Sequence, residues 1–116
     1  MKRRFRLTRS TDFQRVRRIG KSYAHPLVVL VAARNELSQV RIGVVAGRAF
    51  GQAVERNRAK RRLRACLQEC LPHLSPGWDC IFFARKPLGQ AGFAEICAAV
   101  QLVLKKAGLW NERSPS

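Results

Sequence analysis

Apolar and polar residues alternate along the chain in blocks that predict a mixture of helices and strands. Residues 27–33, 40–47 and 78–84 are apolar runs rich in β-branched or aromatic side chains, which is typical of buried strands, and a short extended segment at 22–25 precedes them. A polar turn of six residues separates the first two runs, so these two strands are expected to run antiparallel.

Apolar residues at helical spacing mark three further segments. In the first, Phe13 and Val16 share a face and Gly20 ends the helix, and the last is an amphipathic helix at residues 93–107. The predicted order is helix, three strands, helix, strand, helix, which describes a single α+β domain with one four-stranded sheet. If the strands on either side of the middle helix are parallel neighbours, general chirality rules predict a right-handed crossover.

The middle helix, within residues 50–71, is the segment around which the chain is organised. It contains no Gly or Pro from residue 52 onward, and Pro72 follows it. Basic residues cover most of its surface, and Arg56, Lys60 and Arg64 form a stripe along one flank. Like charges at i, i+4 repel each other, so this helix is expected to bind a polyanion. The remaining arc is apolar and should face the core; it comprises Ala59, Leu63, Cys66, Leu67 and Cys70.

Composition supports the same interpretation. Of the 116 residues, 23 are Lys or Arg and 7 are Asp or Glu, which gives a net charge of +16. Nine of the basic residues lie within 1–21 and seven within 48–64, and Arg predominates in both regions, which favours bidentate contact with phosphate. A hydrophobic fraction of 47% is that of a folded protein rather than a disordered basic tail. The charge balance therefore indicates nucleic acid or an anionic surface as the partner, and the basic helix favours nucleic acid.

The sequence also predicts the location and extent of the domain. No apolar run approaches the length of a transmembrane helix, and no apolar region of a secretory signal follows the basic start. A cytoplasmic protein without a membrane partner is expected. Residues 1–116 are predicted to form one domain, with a basic arm at 1–7 and a frayed tail at 108–116.

The residues that could carry chemistry do not form a protein active site. The seven carboxylates are scattered singly, and no phosphate-binding glycine loop is present. We therefore expect no catalytic residue and no metal site on the protein. A zinc site remains an alternative to simple core packing of the cysteines, and a structural disulfide is expected even less, because the compartment is reducing. The zinc alternative would use Cys66, Cys70, His73 and Cys80.

Three motifs occur at distances from one another that indicate a known family. Residues 51–64 read GQAVERNRAKRRLR, residues 79–87 read DCIFFARKP, and DFQRV at 12–16 follows Arg6 and Leu7. They resemble the RNR signature, the last strand with its following turn, and the opening helix of the bacterial ribonuclease P protein subunit. The resemblance covers nearly the whole chain.

The resemblance implies a fold and a division of labour. The implied fold is ribosomal S5 domain 2-like, with a left-handed rather than right-handed βαβ crossover through the basic helix. Removal of the 5′ leader from precursor tRNA belongs to the ribonuclease P RNA, which holds most of the Mg²⁺, and the protein binds both RNAs but not DNA. The positions that match the RNA-subunit face are Arg48, Arg56, Asn57, Arg58, Lys60, Arg61 and Arg64.

The resemblance also implies a leader-binding cleft between the first helix and one face of the sheet. Arg17 and Leu30 stand where aromatic residues can occur in the family, so leader contact is expected to depend more on charge in this chain. Packing of Phe13 against the sheet explains that residue equally well. The matching cleft positions are Phe13, Arg17, Val28, Leu30 and Arg56.

Alternatives come from other classes of protein. A small basic ribosomal protein, or another RNA-binding protein, would share the charge but not the three motifs. A helix-turn-helix DNA binder would need a helix just before the basic one, where the strand at 40–47 is predicted. An independent nuclease would need clustered carboxylates.

Overall fold

The computed structural model describes residues 1–112 of the chain. Its elements follow the predicted order, and the boundaries of the predicted strands and of the last helix are correct to within one residue, whereas the middle helix begins at Ala53, three residues after the start of the predicted segment 50–71. No helix in this range is both long enough and apolar enough to cross a membrane. The strands are β1 (Lys21–Ala24), β2 (Val28–Arg34), β3 (Arg41–Ala46) and β4 (Trp78–Ala84), and the helices are α1 (Ser10–Ile19), α2 (Ala53–Cys70) and α3 (Phe93–Lys106).

The four strands form one mixed sheet in the order β1-β2-β4-β3. β2 is antiparallel to both of its neighbours, whereas β3 and β4 are parallel and are joined through α2. β2 and β3 therefore run in opposite directions, as predicted, but they are not neighbours because β4 lies between them. The central position suits β4, since most of its residues are buried on both faces. The handedness of the crossover stays a prediction.

The two faces of the sheet are covered by different helices. Even-numbered residues of β2 and β4, such as Leu30 and Phe82, pack with α2 and α3 in the larger core. Odd-numbered residues, such as Val31 and Ile81, pack with Val16 of α1 in a smaller cluster. The amphipathic pattern of α1 therefore faces the opposite side of the sheet from the basic helix.

The N-terminal arm runs along the outer edge of β3. The Leu7 backbone N–H donates to the carbonyl oxygen of Ile42 at 2.8 Å, and Leu7 is buried in the cluster beneath α1. Arg6 bridges to the same strand residue. The arm thus pairs with the edge strand at Ile42, where backbone groups would otherwise be unpaired.

The prediction of a frayed tail from residue 108 onward is wrong for residues 109–111. Gly108 ends α3 with a φ of 73°, and Leu109 then packs into the core with 3% of its surface exposed. The ring of Trp110 stacks on His73 with 4.6 Å between centroids, and the Asn111 N–H donates to the His73 carbonyl at 2.7 Å. The part of this prediction that concerns residues 113–116 lies outside the described residues.

The expectation against a disulfide is also wrong in this structure. Cys66 of α2 and Cys97 of α3 are bonded, because the two helices pack side by side and bring the Cα atoms to 5.2 Å. Cys70 and Cys80 are free and buried, and burial raises the pKa of the Cys70 thiol to about 11 and that of the Cys80 thiol to about 12. Two of the four residues of the zinc alternative are thus engaged elsewhere, since Cys66 pairs with Cys97 and His73 stacks on Trp110.

Candidate nucleic-acid interface

α2 combines a buried apolar arc with a cationic outer surface. All five residues predicted for the arc are buried in the core beneath the helix. The same rotation of the helix leaves Asn57, Arg58, Arg61 and Arg64 exposed, and Arg56 and Lys60 half-buried along one flank. Arg48, in the turn Arg48–Phe50 before the helix, is exposed as well. The structure therefore brings the seven residues predicted to bind the RNA subunit onto one helix and the turn that precedes it.

The positive charge of this helix is not neutralised by carboxylates. The ion pairs found among residues 1–112 use only Arg15, Arg41 and Lys105 as cations, so none involves the six basic residues of α2. Within the same residues, the Nε atom of Arg56 is buried without a hydrogen-bond partner. Repulsion along the helix is therefore unrelieved within the described structure, and phosphate groups could relieve it.

Two of the predicted leader-binding residues lie on the wrong side of the sheet. Val28 and Leu30 have no exposed surface and pack into the core with α2 and α3. Their assignment to the leader cleft is therefore wrong. Side chains of a strand alternate between faces, so an error of one residue exchanges the two sides. The unbroken apolar run at 27–33 offers no alternation from which the correct side could be chosen.

The partly exposed apolar surface beside α1 is formed by other residues. Val29, Phe83 and Val45 lie side by side across β2, β4 and β3, as the strand register requires. The guanidinium of Arg17 stands over the Phe83 ring, 5.4 Å from its centroid. Such a cation–π pair is favourable, and it presents a flat, positively charged surface to solvent.

Phe13 completes this surface from the helix side. It is half-buried, and its ring lies directly on the backbone of Gly43 in β3. A Cβ at residue 43 would stand 2.5 Å from the Phe13 ring, so only glycine allows this contact. We call the five residues Phe13, Arg17, Val29, Val45 and Phe83 the α1-side surface. Sequence reasoning missed Phe83, because adjacent Phe82 and Phe83 are equivalent until the face of each is known.

A buried carboxylate holds α1 against the sheet beside this surface. Asp79 has no exposed surface and accepts hydrogen bonds from Arg41 Nε at 2.9 Å, Arg41 Nη2 at 2.8 Å and Asn35 Nδ2 at 2.8 Å. Arg15 of α1 also donates to Asp79. Asp12 lies 3.4 Å from Arg41 Nη1 and 3.8 Å from Arg15 Nη2. Two of the carboxylates that are scattered in sequence thus meet in one ion-pair network.

The network also sets the ionisation of its members. Burial raises the pKa of Asp79, but the hydrogen bonds from Arg41 and Asn35 and the charges of Arg41 and Arg15 outweigh it, so the pKa lies below its ordinary value. The hydrogen bond to Asp79 raises the pKa of Arg41 in turn. Arg15 and Arg41 therefore stabilise the packing of α1 on the sheet, and their charges are neutralised by carboxylates rather than added to the cationic surface.

Comparison with known proteins places these features in a family context. The sequence model described as Ribonuclease P matches residues 1–108. A ribonuclease P protein component from Herpetosiphon aurantiacus is 41% identical over 113 residues, covering 97% of this chain and 92% of that protein. The solved RNase P protein of Staphylococcus aureus has a TM-score of 0.83 at 30% identity, covering 92% of this chain and 98% of that one. The protein from Thermotoga maritima has a TM-score of 0.80 at 28% identity, covering 87% and 96%.

Proposed function

We propose a separate RNA-binding role for each of two surfaces of this chain, which belongs to the ribonuclease P protein family and is a component of an RNA-cleaving holoenzyme. The cationic face of α2 binds the RNA subunit. The α1-side surface holds the 5′ leader of precursor tRNA. One observation carries the proposal: the six basic side chains of α2 form no ion pair among residues 1–112. A folded protein keeps such a face when a polyanion neutralises it in use.

The outward residues of α2 are suited to a structured RNA partner. Arg58, Arg61 and Arg64 can each offer a planar guanidinium to phosphate oxygens, and Asn57 can donate or accept beside them. Contacts of this kind fix the register of a protein on the RNA backbone without reading sequence. Arg48 and Lys60 extend the same surface, and Arg56 is assigned to both RNAs on the family resemblance.

The α1-side surface is suited to a single strand. An unpaired nucleotide can place its base against Phe13 or Phe83, while Arg17 supplies both a flat guanidinium and a charge for the adjoining phosphate. The half-buried valines on either side of Phe83 extend the apolar surface. Because stacking tolerates any base, this arrangement favours leader binding with little sequence preference.

We assign cleavage and most of the Mg²⁺ to the RNA subunit. The two carboxylates of the ion-pair network, Asp12 and Asp79, are poorly suited to hold Mg²⁺ because both are ion-paired with Arg15 and Arg41. Within residues 1–112, no group of three or more His, Cys, Asp or Glu is close enough to hold a metal ion. The role proposed for the protein is therefore to bind and position the two RNAs, in the cytoplasm.

The test is cleavage of precursor tRNA at low Mg²⁺ by a bacterial ribonuclease P RNA, with and without this protein. Cleavage at the mature 5′ end should appear or strengthen only when both components are present. Cleavage by the protein alone would make it a nuclease and overturn the assignment of catalysis. No effect of the protein on any bacterial RNA tested would favour a ribosomal or other RNA-binding role instead.

The binding face is tested by Arg61→Ala, with Arg34→Ala as the matched control. Arg61 is exposed on α2, whereas Arg34 lies over Trp78 at the strand ends farthest from the start of α2. Loss of one phosphate contact should weaken binding and reduce the slope of log K against log salt by about 0.7–0.9. Equal effects of the two substitutions would mean that α2 is not the specific face.

A further inference from the structure

A cavity of about 520 Å³ lies next to the basic face of α2. It is open to solvent on one side and is bounded by the first turns of that helix, the turn Arg48–Phe50 before it, and the turn Lys86–Gln90 that follows β4. Its volume is within the range of about 300–1,000 Å³ that is usual for small-ligand pockets. Of its lining residues, only Arg58 belongs to the set predicted to bind RNA.

The cavity is divided into an apolar floor and a cationic rim. Phe50 and Ala59 form the floor and are 6% and 3% exposed, so their apolar atoms are largely enclosed. One carboxylate, that of Glu55, also lines the cavity. The basic side chains around it are Arg58, Arg62 and Lys86.

Backbone and side-chain contacts hold this shape in place. The Arg62 guanidinium donates to the Ala91 carbonyl oxygen at 2.5 Å, which fixes it at the rim. Gly51 has a φ of 76°, a left-handed conformation that lets the turn before α2 reverse direction. A Cβ at Gly89 would stand 3.4 Å from Phe50 Cε1, so the lack of a side chain at residue 89 leaves the floor open.

We infer that this cavity receives one unstacked nucleotide of the RNA subunit, an assignment that rests on the RNA-binding role proposed above. A phosphate alone would meet the rim cations but would face Glu55 and leave the floor unused. An apolar ligand would leave the cations unused. A nucleotide matches all three parts: its base lies on the floor, a base N–H or ribose hydroxyl donates to Glu55, and its phosphate lies beside Arg58 and Lys86.

The test fills the cavity without changing its charge. Gly89→Leu places a side chain over the floor, whereas Gly89→Ala adds only a methyl group and is the matched control. Affinity for a bacterial ribonuclease P RNA is measured for the wild type and both variants over a range of salt concentrations. Gly89→Leu should raise Kd by about tenfold, or about 1.4 kcal/mol, with an unchanged salt slope, because no phosphate contact is lost. Gly89→Ala should bind within about twofold of the wild type, since it leaves most of the cavity free.

Lys86→Gln provides a second test of the nucleotide site. It replaces the first test if thermal denaturation shows no folding transition for Gly89→Leu. Lys86 is exposed, and its loss should reduce the salt slope by about 0.7–0.9. Wild-type affinity in a folded Gly89→Leu, or an unchanged salt slope in Lys86→Gln, would overturn the nucleotide site while leaving the RNA-binding role intact. Failure of the wild-type protein to bind the RNA would instead remove the proposed function itself.

Discussion

Replacing Asp79 by Asn tests whether the buried ion-pair network holds α1 on the sheet. Breaking a buried pair by removing one partner costs about 3–5 kcal/mol when the remaining charge is fully enclosed. Here the side chains of Arg15 and Arg41 keep 28% and 22% of their surface exposed. They also retain Asp12 as a partner. We therefore expect Asp79→Asn to lower the free energy of unfolding by about 2–3 kcal/mol at pH 7.

The pH dependence distinguishes the lost charge from a simple packing defect. The folded-state pKa of Asp79 lies below its unfolded value of about 3.9, so its ionised form stabilises the fold above that value. This stabilisation is lost as the pH falls through the folded-state pKa, where the wild-type carboxyl becomes protonated. Asn is neutral throughout. The stability difference between wild type and variant should therefore be full above about pH 5 and shrink below about pH 4.

Urea denaturation measures both quantities. With a slope of about 2 kcal/mol per molar urea, the midpoint of Asp79→Asn should fall by about 1 M at pH 7. Glu36→Gln is the control, because Glu36 is exposed and makes no ion pair among residues 1–112, and it should change stability by less than about 0.5 kcal/mol. A midpoint shift no larger than that of the control, or a shift undiminished at the lowest pH at which the wild type folds, would refute the reasoning.

Three other changes test separate parts of the molecule. Phe83→Leu removes the ring beneath Arg17 and should lower kcat/KM about fivefold for precursor tRNA whose leader has several nucleotides, but not for precursor tRNA with a single-nucleotide leader. An equal loss of kcat/KM with both substrates would contradict contact between Phe83 and the leader. Leu109→Ala should cost about 2–4 kcal/mol in urea denaturation, whereas Leu102→Ala, at a 43% exposed position, should cost less than about 0.5 kcal/mol. Without reductant, native protein should alkylate slowly at pH 8, because two cysteines are bonded and burial raises the pKa of Cys70 to about 11 and of Cys80 to about 12. Two fast-labelling cysteines in mass spectrometry would contradict this. Reductant should lower the free energy of unfolding by about 2–4 kcal/mol, because it breaks the bond between the two helices.

Local patterns along the chain determined the elements and the binding helix. The period of apolar residues in α2 identifies its buried arc, and the same rotation necessarily turns the basic residues outward. Gly20 and Gly108 mark the ends of α1 and α3, because each glycine follows the last apolar residue at helical spacing. These features could be predicted because each depends on residues within a few turns of one another.

Contacts between distant parts of the chain were decided only by the tertiary structure. β4 separates β2 from β3, Asp79 meets Arg15 across 64 positions, and Cys97 meets Cys66 across 31. Local sequence patterns do not predict these long-range contacts, because the contacts depend on how whole helices and strands pack against one another.

The tertiary structure also decides on which side of the sheet each strand side chain lies. The resemblance assigns Val28 and Leu30 to a cleft beside α1, yet the side of the sheet that faces α1 carries Val29 and Phe83. A strand covered by helices on both sides is apolar at every position, so its sequence shows that it is buried but not which helix each side chain meets. That choice is made by the packing of α1 on one face and of α2 and α3 on the other.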